Sequence, residues 1–167
     1  MVKKSKVESA KEKLLRLNSK IKITIYKERL VKDNVDKILS EADIIVDALD
    51  NFETRYLVNE YCVKKRKPLI HAAVEKMFGQ ITTIIPGETP CLKCIIPETP
   101  PSRGAFPILG TTAGILGILE ANEVIKLVTG IGEPLKGKML FVDIENNDFS
   151  IIPLERSKKC PVCSSLF

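Results

Sequence analysis

The sequence predicts an α/β protein, a mostly parallel sheet with antiparallel strands toward its C-terminal end. Three observations carry that prediction. Residues 44–49, Ile-Ile-Val-Asp-Ala-Leu, form an almost unbroken apolar run, which suits a strand covered on both faces of a parallel sheet. Residues 21–73 read strand, helix, strand, helix, strand, the alternation that builds parallel sheets with right-handed crossovers. Beyond Gly79 the pattern changes to strands bounded by short turns. The chain has 167 residues, and that length suits one domain over 1–167.

Each element has a local reason. Val7, Ala10, Leu14 and Leu17 recur at helical spacing with Lys and Glu between them. Ser5 with Glu8 three residues on makes a capping box, so the first helix spans 6–17. Ile21, Ile23 and Ile25 alternate with Lys22 and Thr24 as in a half-buried strand. A short helix covers 33–41. The strand at 44–49 ends at Asp50-Asn51, and a helix follows over 52–65 with Asp50 as its N-cap. Pro68 closes that region, and Leu69–Ala73 reads as the next strand. Gly79–Ile85 is a strand ended by Pro86-Gly87. Residues 86–107 hold six prolines and two cysteines and read as a long irregular loop. Such loops are uncommon unless functional or tied down. Residues 111–129 form a helix almost uncharged in its first half, expected to be buried on most sides, with Gly130 as its C-cap. Strands at 138–143 and 149–154 are joined by an Asn146-Asn147 turn.

Composition narrows the function classes. Apolar residues make up 44% of the chain, enough for a core, which excludes global disorder. No run reaches the roughly 18 apolar residues of a membrane helix. The basic start leads into a charged amphipathic stretch without an apolar h-region, so a cytoplasmic location is expected. The net charge is +5, and it is concentrated at the start: residues 1–40 carry 12 Lys/Arg against 5 Asp/Glu. A basic segment invites a polyanion, but no aromatic stacking pattern or nucleic-acid motif accompanies it, and a solvated face is the blander reading.

The cysteines carry more information. Cys91-x-x-Cys94 and Cys160-x-x-Cys163 are two paired knuckles, the pattern of a closed four-cysteine zinc site. A closed site leaves no position for substrate water, so its role is structural. It would join the 86–107 loop to the 155–167 tail. Two disulfides or four unrelated thiols are the alternatives. Disulfides fit poorly without a secretory signal. The prolines after Cys94 argue against a redox helix there. Cys62, within a helical pattern, reads as a small core residue.

Together these motifs resemble the ThiF/MoeB/HesA adenylyltransferases, relatives of ubiquitin-activating enzymes. The matching residues are Lys6–Ala10, Asp47–Asn51 with Thr54-Arg55, Gly79-Gln80, Pro90–Cys94, Glu123–Leu127, Thr129-Gly130 and Cys160–Cys163, in the family's order. The resemblance implies a Rossmann-like sheet and a reaction in which Mg-ATP adenylates the C-terminal Gly-Gly carboxylate of a small ubiquitin-like sulfur carrier, releasing pyrophosphate. It makes Lys6 and Asp50 the catalytic residues: Lys6 on the ATP phosphates, Asp50 on Mg²⁺ or orienting ATP. Asn51 and Arg55 would support the same nucleotide-binding end, and Cys91, Cys94, Cys160 and Cys163 would hold Zn²⁺. It also implies a homodimer. Such chemistry needs cations on the phosphates. The blander readings are Lys6 as a surface lysine, Asp50 as a helix cap, Arg55 paired along its own helix, and His71 as a core or pocket-lining group.

One family feature has no counterpart. No glycine group follows a strand as a G-x-G-x-x-G nucleotide loop does. The expectation is therefore a domain truncated at its N-terminus, the C-terminal two-thirds of the family's, incomplete without an N-terminal half that is either a separate chain or lost. The stretch Ser102–Gly110 also lacks the cysteine that some members use for sulfur or thioester transfer. The alternative function is a non-catalytic, zinc-stabilised scaffold that docks a carrier or partner protein. A basic nucleic-acid binder comes third.

Overall fold

The computed structural model describes residues 4–100 and 107–166. Helix α1 spans Lys6–Leu17, and its capping box forms as the sequence predicts: Ser5 Oγ accepts from the Glu8 N–H, and the Glu8 carboxylate accepts from the Ser5 N–H. None of its residues is buried. Ion pairs Arg16–Glu12 and Lys4–Glu12 lie along it, and Lys27 reaches back to Glu8. The expected strand over 21–25 does not form: the segment joins no ladder among the described residues. Alternating isoleucines provide a face, but a strand also needs a neighbour for its N–H and C=O groups. Helix α2, Val35–Leu39, follows.

The sheet has five strands in the order β1-β2-β3-β4-β5. They are β1 (Ile45–Asp47), β2 (Leu69–Glu75), β3 (Phe78–Ile84), β4 (Lys138–Asp143) and β5 (Asp148–Pro153). Only β1 and β2 pair in parallel, joined through α3 (Phe52–Lys65); the other three pairs are antiparallel. The α/β class and the antiparallel C-terminal strands are as expected, but the parallel share is smaller. The reason is local. Glu75 pairs with Phe78, so only Lys76 and Met77 connect β2 to β3, far short of the dozen or more residues a parallel crossover needs. Lys76 takes a left-handed φ of 55° there. Its backbone is secured by Pro107, Leu109 and the Thr112 hydroxyl at the start of α5 (Gly110–Thr129).

Two cores lie on opposite faces. On one, α3 packs Val58, Tyr61 and Cys62 over Leu69 and Ile84, together with Leu92 from the single turn α4 (Leu92–Ile95). On the other, α5 sets Leu116 against Ile70, Ala72, Ile81 and Val142. Gly79 is required at this contact, since a Cβ there would sit 2.4 Å from Leu116 Cδ2. Glu123, also buried, ties α5 down: it accepts from the Thr83 hydroxyl, from the Leu135 N–H at 2.7 Å and from Lys126 at 2.6 Å.

Two burial expectations need correction. Strand β1 is not covered on both faces, for Val46 is 44% exposed. Helix α5 packs on β2 and β3 and leaves β1 uncovered on that side. Nor is α5 buried on most sides. Thr112, Leu116, Glu120 and Glu123 face the sheet, while Ile118, Ile125 and Val128 face outward and are exposed. Gly130 does cap the helix, at φ 70°. Among the described residues no helix is long and apolar enough to cross a membrane.

Candidate nucleotide site and metal centre

At the carboxyl end of β1 the chain turns through Ala48–Asp50 into α3. In parallel pairs this end is where ligands bind. Asn51, and not Asp50, caps α3: its Oδ1 accepts from the Thr54 N–H at 2.9 Å. The Asn51 amide also donates to Asp50 Oδ1 at 3.1 Å. Asp50 is thereby released from capping and lies exposed at the rim. Hydrogen bonds from Asn51 and from the Asp50 backbone, with the positive charges of Lys6 and Arg55 behind them, hold the Asp50 carboxyl below the usual carboxylate range. Lys6 opens α1 and is exposed. The charge of Lys6, 44 residues away in sequence, thus acts on Asp50, though less than the hydrogen bonds there. A cleft of about 180 Å³ lies between the 29–32 segment and the start of α3, lined by Arg29, Leu30, Val31, Lys32, Glu53, Thr54 and Leu57. The sequence carries no recognisable signal for that cleft.

Arg55 does not pair along its own helix. It is 7% exposed and reaches into the sheet. Nη1 donates to the Ala72 carbonyl at 3.0 Å and lies 3.7 Å from Asp47 Oδ2; Nη2 donates to the Leu49 carbonyl. Asp47 is buried, accepts from the Leu49 N–H at 2.9 Å and meets His71 Nδ1 at 2.7 Å. His71 is thus a core group, partnered at Nδ1. Its Nε2 is buried and finds no hydrogen-bond partner among the described residues, and the same holds for Glu120 Oε1. Burial is the main cause that pushes the Glu120 carboxyl up to about 7, with Asp47 adding and Arg55 opposing. Asp47 and Glu120 were not singled out in the sequence as site residues.

The four knuckle cysteines converge. Their Sγ atoms all lie within 4.8 Å of one another, with Cys91–Cys160 at 3.7 Å and Cys94–Cys163 at 3.4 Å. A tetrahedral Zn–S shell near 2.3 Å puts sulfurs roughly 3.8 Å apart, so the set fits zinc. All four are free thiols. Burial pushes the Cys91 thiol up to about 11 and raises Cys163 as well, so a divalent cation would be needed to hold these ligands as thiolates. Helix α3 anchors the first knuckle: Asn59 Oδ1 accepts from the Leu92 N–H at 2.9 Å, and Tyr56 donates to the Ile96 carbonyl at 2.9 Å. One helix therefore connects the Asp50 turn to the metal centre. Cys62 lies in the same core, fully buried, its thiol raised to about 12 by burial, as a small core residue. Residues 102–106, the first part of the Ser102–Gly110 stretch, lie outside the described residues.

Between the metal centre and the β4–β5 edge runs a groove of about 500 Å³, lined by Gln80, Ile95, Ile96, Met139, Phe141 and Ile152 among others.

Comparison with known proteins adds the lineage. The ThiF family profile matches residues 1–162. Protein HesA, heterocyst, of Trichormus variabilis is 42% identical over 163 residues, covering 97% of this chain and 61% of the relative. An adenylyltransferase and sulfurtransferase MOCS3 of Culex quinquefasciatus is 37% identical over 96% of this chain and 38% of its own length. Among solved structures, E. coli MccB with ATP superposes with a TM-score of 0.81 at 27% identity, covering 96% of this chain and 52% of that one. The chain thus spans less than two-thirds of the length of each.

Proposed function

The chain belongs to the ThiF family, and from that premise we propose that it takes part in ATP-dependent adenylation of the C-terminal carboxylate of a small ubiquitin-like sulfur-carrier protein. The observation that carries this reading is the turn after β1, where Asn51 caps α3 and leaves the hydrogen-bonded Asp50 carboxylate exposed. In the proposed reaction a carrier carboxylate oxygen bonds to the α-phosphorus of ATP, and pyrophosphate leaves. Lys6 places a positive charge on the phosphates. Asp50, held ionised by Asn51 and Lys6, is the natural ligand for Mg²⁺ or an orienting group for ATP. Mg²⁺, when bound, neutralises phosphate charge during transfer. The turn at Asn51 fixes where Asp50 presents its oxygens.

Cys91, Cys94, Cys160 and Cys163 hold Zn²⁺ in a structural role. The groove beside β4–β5 suits the carrier, and the outward stripe Ile118, Ala121, Ile125 and Val128 on α5 suits a second copy of the chain.

The test is carrier-dependent ATP–pyrophosphate exchange, measured with the zinc-loaded chain alone and with the remainder of the HesA relative supplied as a fragment. Lys6→Ala and Asp50→Asn should each reduce exchange at least a hundredfold. Carrier binding that is unchanged by Asp50→Ala, with no ATP-dependent protection or exchange under either condition, would instead favour the docking scaffold.

A further inference from the structure

Resting on the reading that Asp50 serves Mg-ATP, we infer that Arg55, Asp47 and His71 form one buried positioning unit that holds the Ala48–Asp50 turn. Arg55 acts through the Leu49 carbonyl and does not touch the nucleotide. Both backbone polar groups of Leu49 are held by this unit, one residue before Asp50: Asp47 Oδ1 takes its N–H and Arg55 Nη2 its carbonyl. The other guanidinium nitrogen is engaged by the Ala72 carbonyl on β2 and lies beside Asp47. A guanidinium donates in its own plane from two edges, and both terminal nitrogens of this one already serve the protein.

His71 completes the unit. The parallel register sets it directly beside Asp47. A carboxylate has no proton to give, so at 2.7 Å the ring Nδ1 carries the proton and donates to Asp47 Oδ2. That bond orients the carboxylate, leaving its second oxygen aimed at Leu49. Apolar side chains of equal volume would serve stability as well or better. A hydrogen-bonded ion pair instead specifies one turn geometry, and the turn specified here is the one that presents Asp50.

The experiment uses the zinc-loaded full chain in two arms. In the first, without nucleotide, amide hydrogen exchange is read at Leu49 and Asp50. Asp47→Asn, Arg55→Lys and His71→Leu should each speed exchange there at least tenfold, while α5 amides stay unchanged, and His71→Gln should restore protection. In the second arm, calorimetry measures Mg-ATP affinity. Asp47→Asn and Arg55→Lys should each weaken it about tenfold, and together no further. Either should multiply with Lys6→Ala.

Wild-type exchange at Leu49 in the variants would overturn the proposal. So would a loss of affinity confined to Arg55 variants, which would put the guanidinium on the nucleotide. If an unpaired charge unfolds a single variant, Asp47→Asn with Arg55→Met removes both charges and should give the same fast Leu49 exchange. Failure of the wild type to bind Mg-ATP would sink the nucleotide reading, and the exchange arm would still decide the brace.

Discussion

Replacing Glu120 by Gln should stabilise the protein, and only above mildly acid pH. The carboxyl lies on the buried side of α5 at 8% exposure, with no hydrogen-bond partner for Oε1 among the described residues. Burial is the larger cause of its shift and the negative charge of Asp47 the next, together raising it from 4.5 to about 7. The sign follows from linkage. Below pH 4.5 both folded and unfolded chains hold the proton. Between 4.5 and 7 the unfolded chain ionises while the folded one does not, so stability falls as pH rises. Above 7 the penalty is complete. Moving the carboxyl from 4.5 to about 7 sets a ceiling of roughly 3.4 kcal/mol, and relaxation toward solvent would reduce it to about 2–3 kcal/mol. Gln keeps the shape without the charge. Urea denaturation of the zinc-saturated proteins should therefore show Glu120→Gln ahead by about 2–3 kcal/mol at pH 8 and by under about 0.5 kcal/mol at pH 4.5. An equal difference at both pH values, or a loss at pH 8, would refute the reasoning.

Three further outcomes follow from packing and ligation. Gly79→Ala drives a Cβ to 2.4 Å from Leu116 and should cost about 1–3 kcal/mol. Gly114→Ala meets nothing within 4 Å and should gain up to about 1 kcal/mol; thermal melts of the pair check both. Lys67 Nζ donates to the carbonyls of Leu39 at 3.1 Å, Ser40 at 2.6 Å and Ala42 at 2.5 Å, closing the C-terminal end of α2. Lys67→Met should cost about 1.5–3 kcal/mol in chemical denaturation and free the α2 amides to exchange. The knuckles bring together cysteines 69 residues apart, a cross-link worth about 4 kcal/mol of chain entropy. Chelation or Cys163→Ser should lose that stabilisation, and bound zinc measured by elemental analysis should be about one per chain before it and none after.

The fold was most readable where a local rule and tertiary packing agree. Ser5 with Glu8, Gly130 after α5, and the two knuckles each satisfy backbone or metal chemistry within a few residues, so no distant partner is needed to see them. The misreadings share the opposite cause. Ile21, Ile23 and Ile25 carry the period of a strand, but pairing depends on a neighbour that periodicity does not encode. The apolar composition of α5 suggests burial on most sides, yet Thr112, Leu116, Glu120 and Glu123 alone are buried, while Ile118, Ile125 and Val128 stay exposed. Its outward isoleucines need a partner that sequence pattern does not identify. Asp50 and Asn51 are both good caps by propensity. The structure uses Asn51, whose extended backbone places its Oδ1 on the Thr54 N–H.

The buried unit around Asp47 had a sequence signal that was readable in principle. One acid stands inside an otherwise apolar run, Ile44–Leu49. An ionised carboxylate buried there must be paired or hydrogen-bonded, so the run itself demands a donor from elsewhere. The candidates were few. His71 is the chain's only histidine and lies in the next strand pattern. The parallel register that aligns Ile45 with Leu69 necessarily sets Asp47 against His71. Arg55 then enters from the first turn of the connecting helix. The chemistry of the pair could have been inferred from the acid alone. What sequence could not provide was the direction of Arg55, because helical spacing allows it to pair along α3 as readily as to reach Leu49. That direction decides whether the guanidinium serves a ligand or the turn, and the contacts with Ala72 and Leu49 favour the turn.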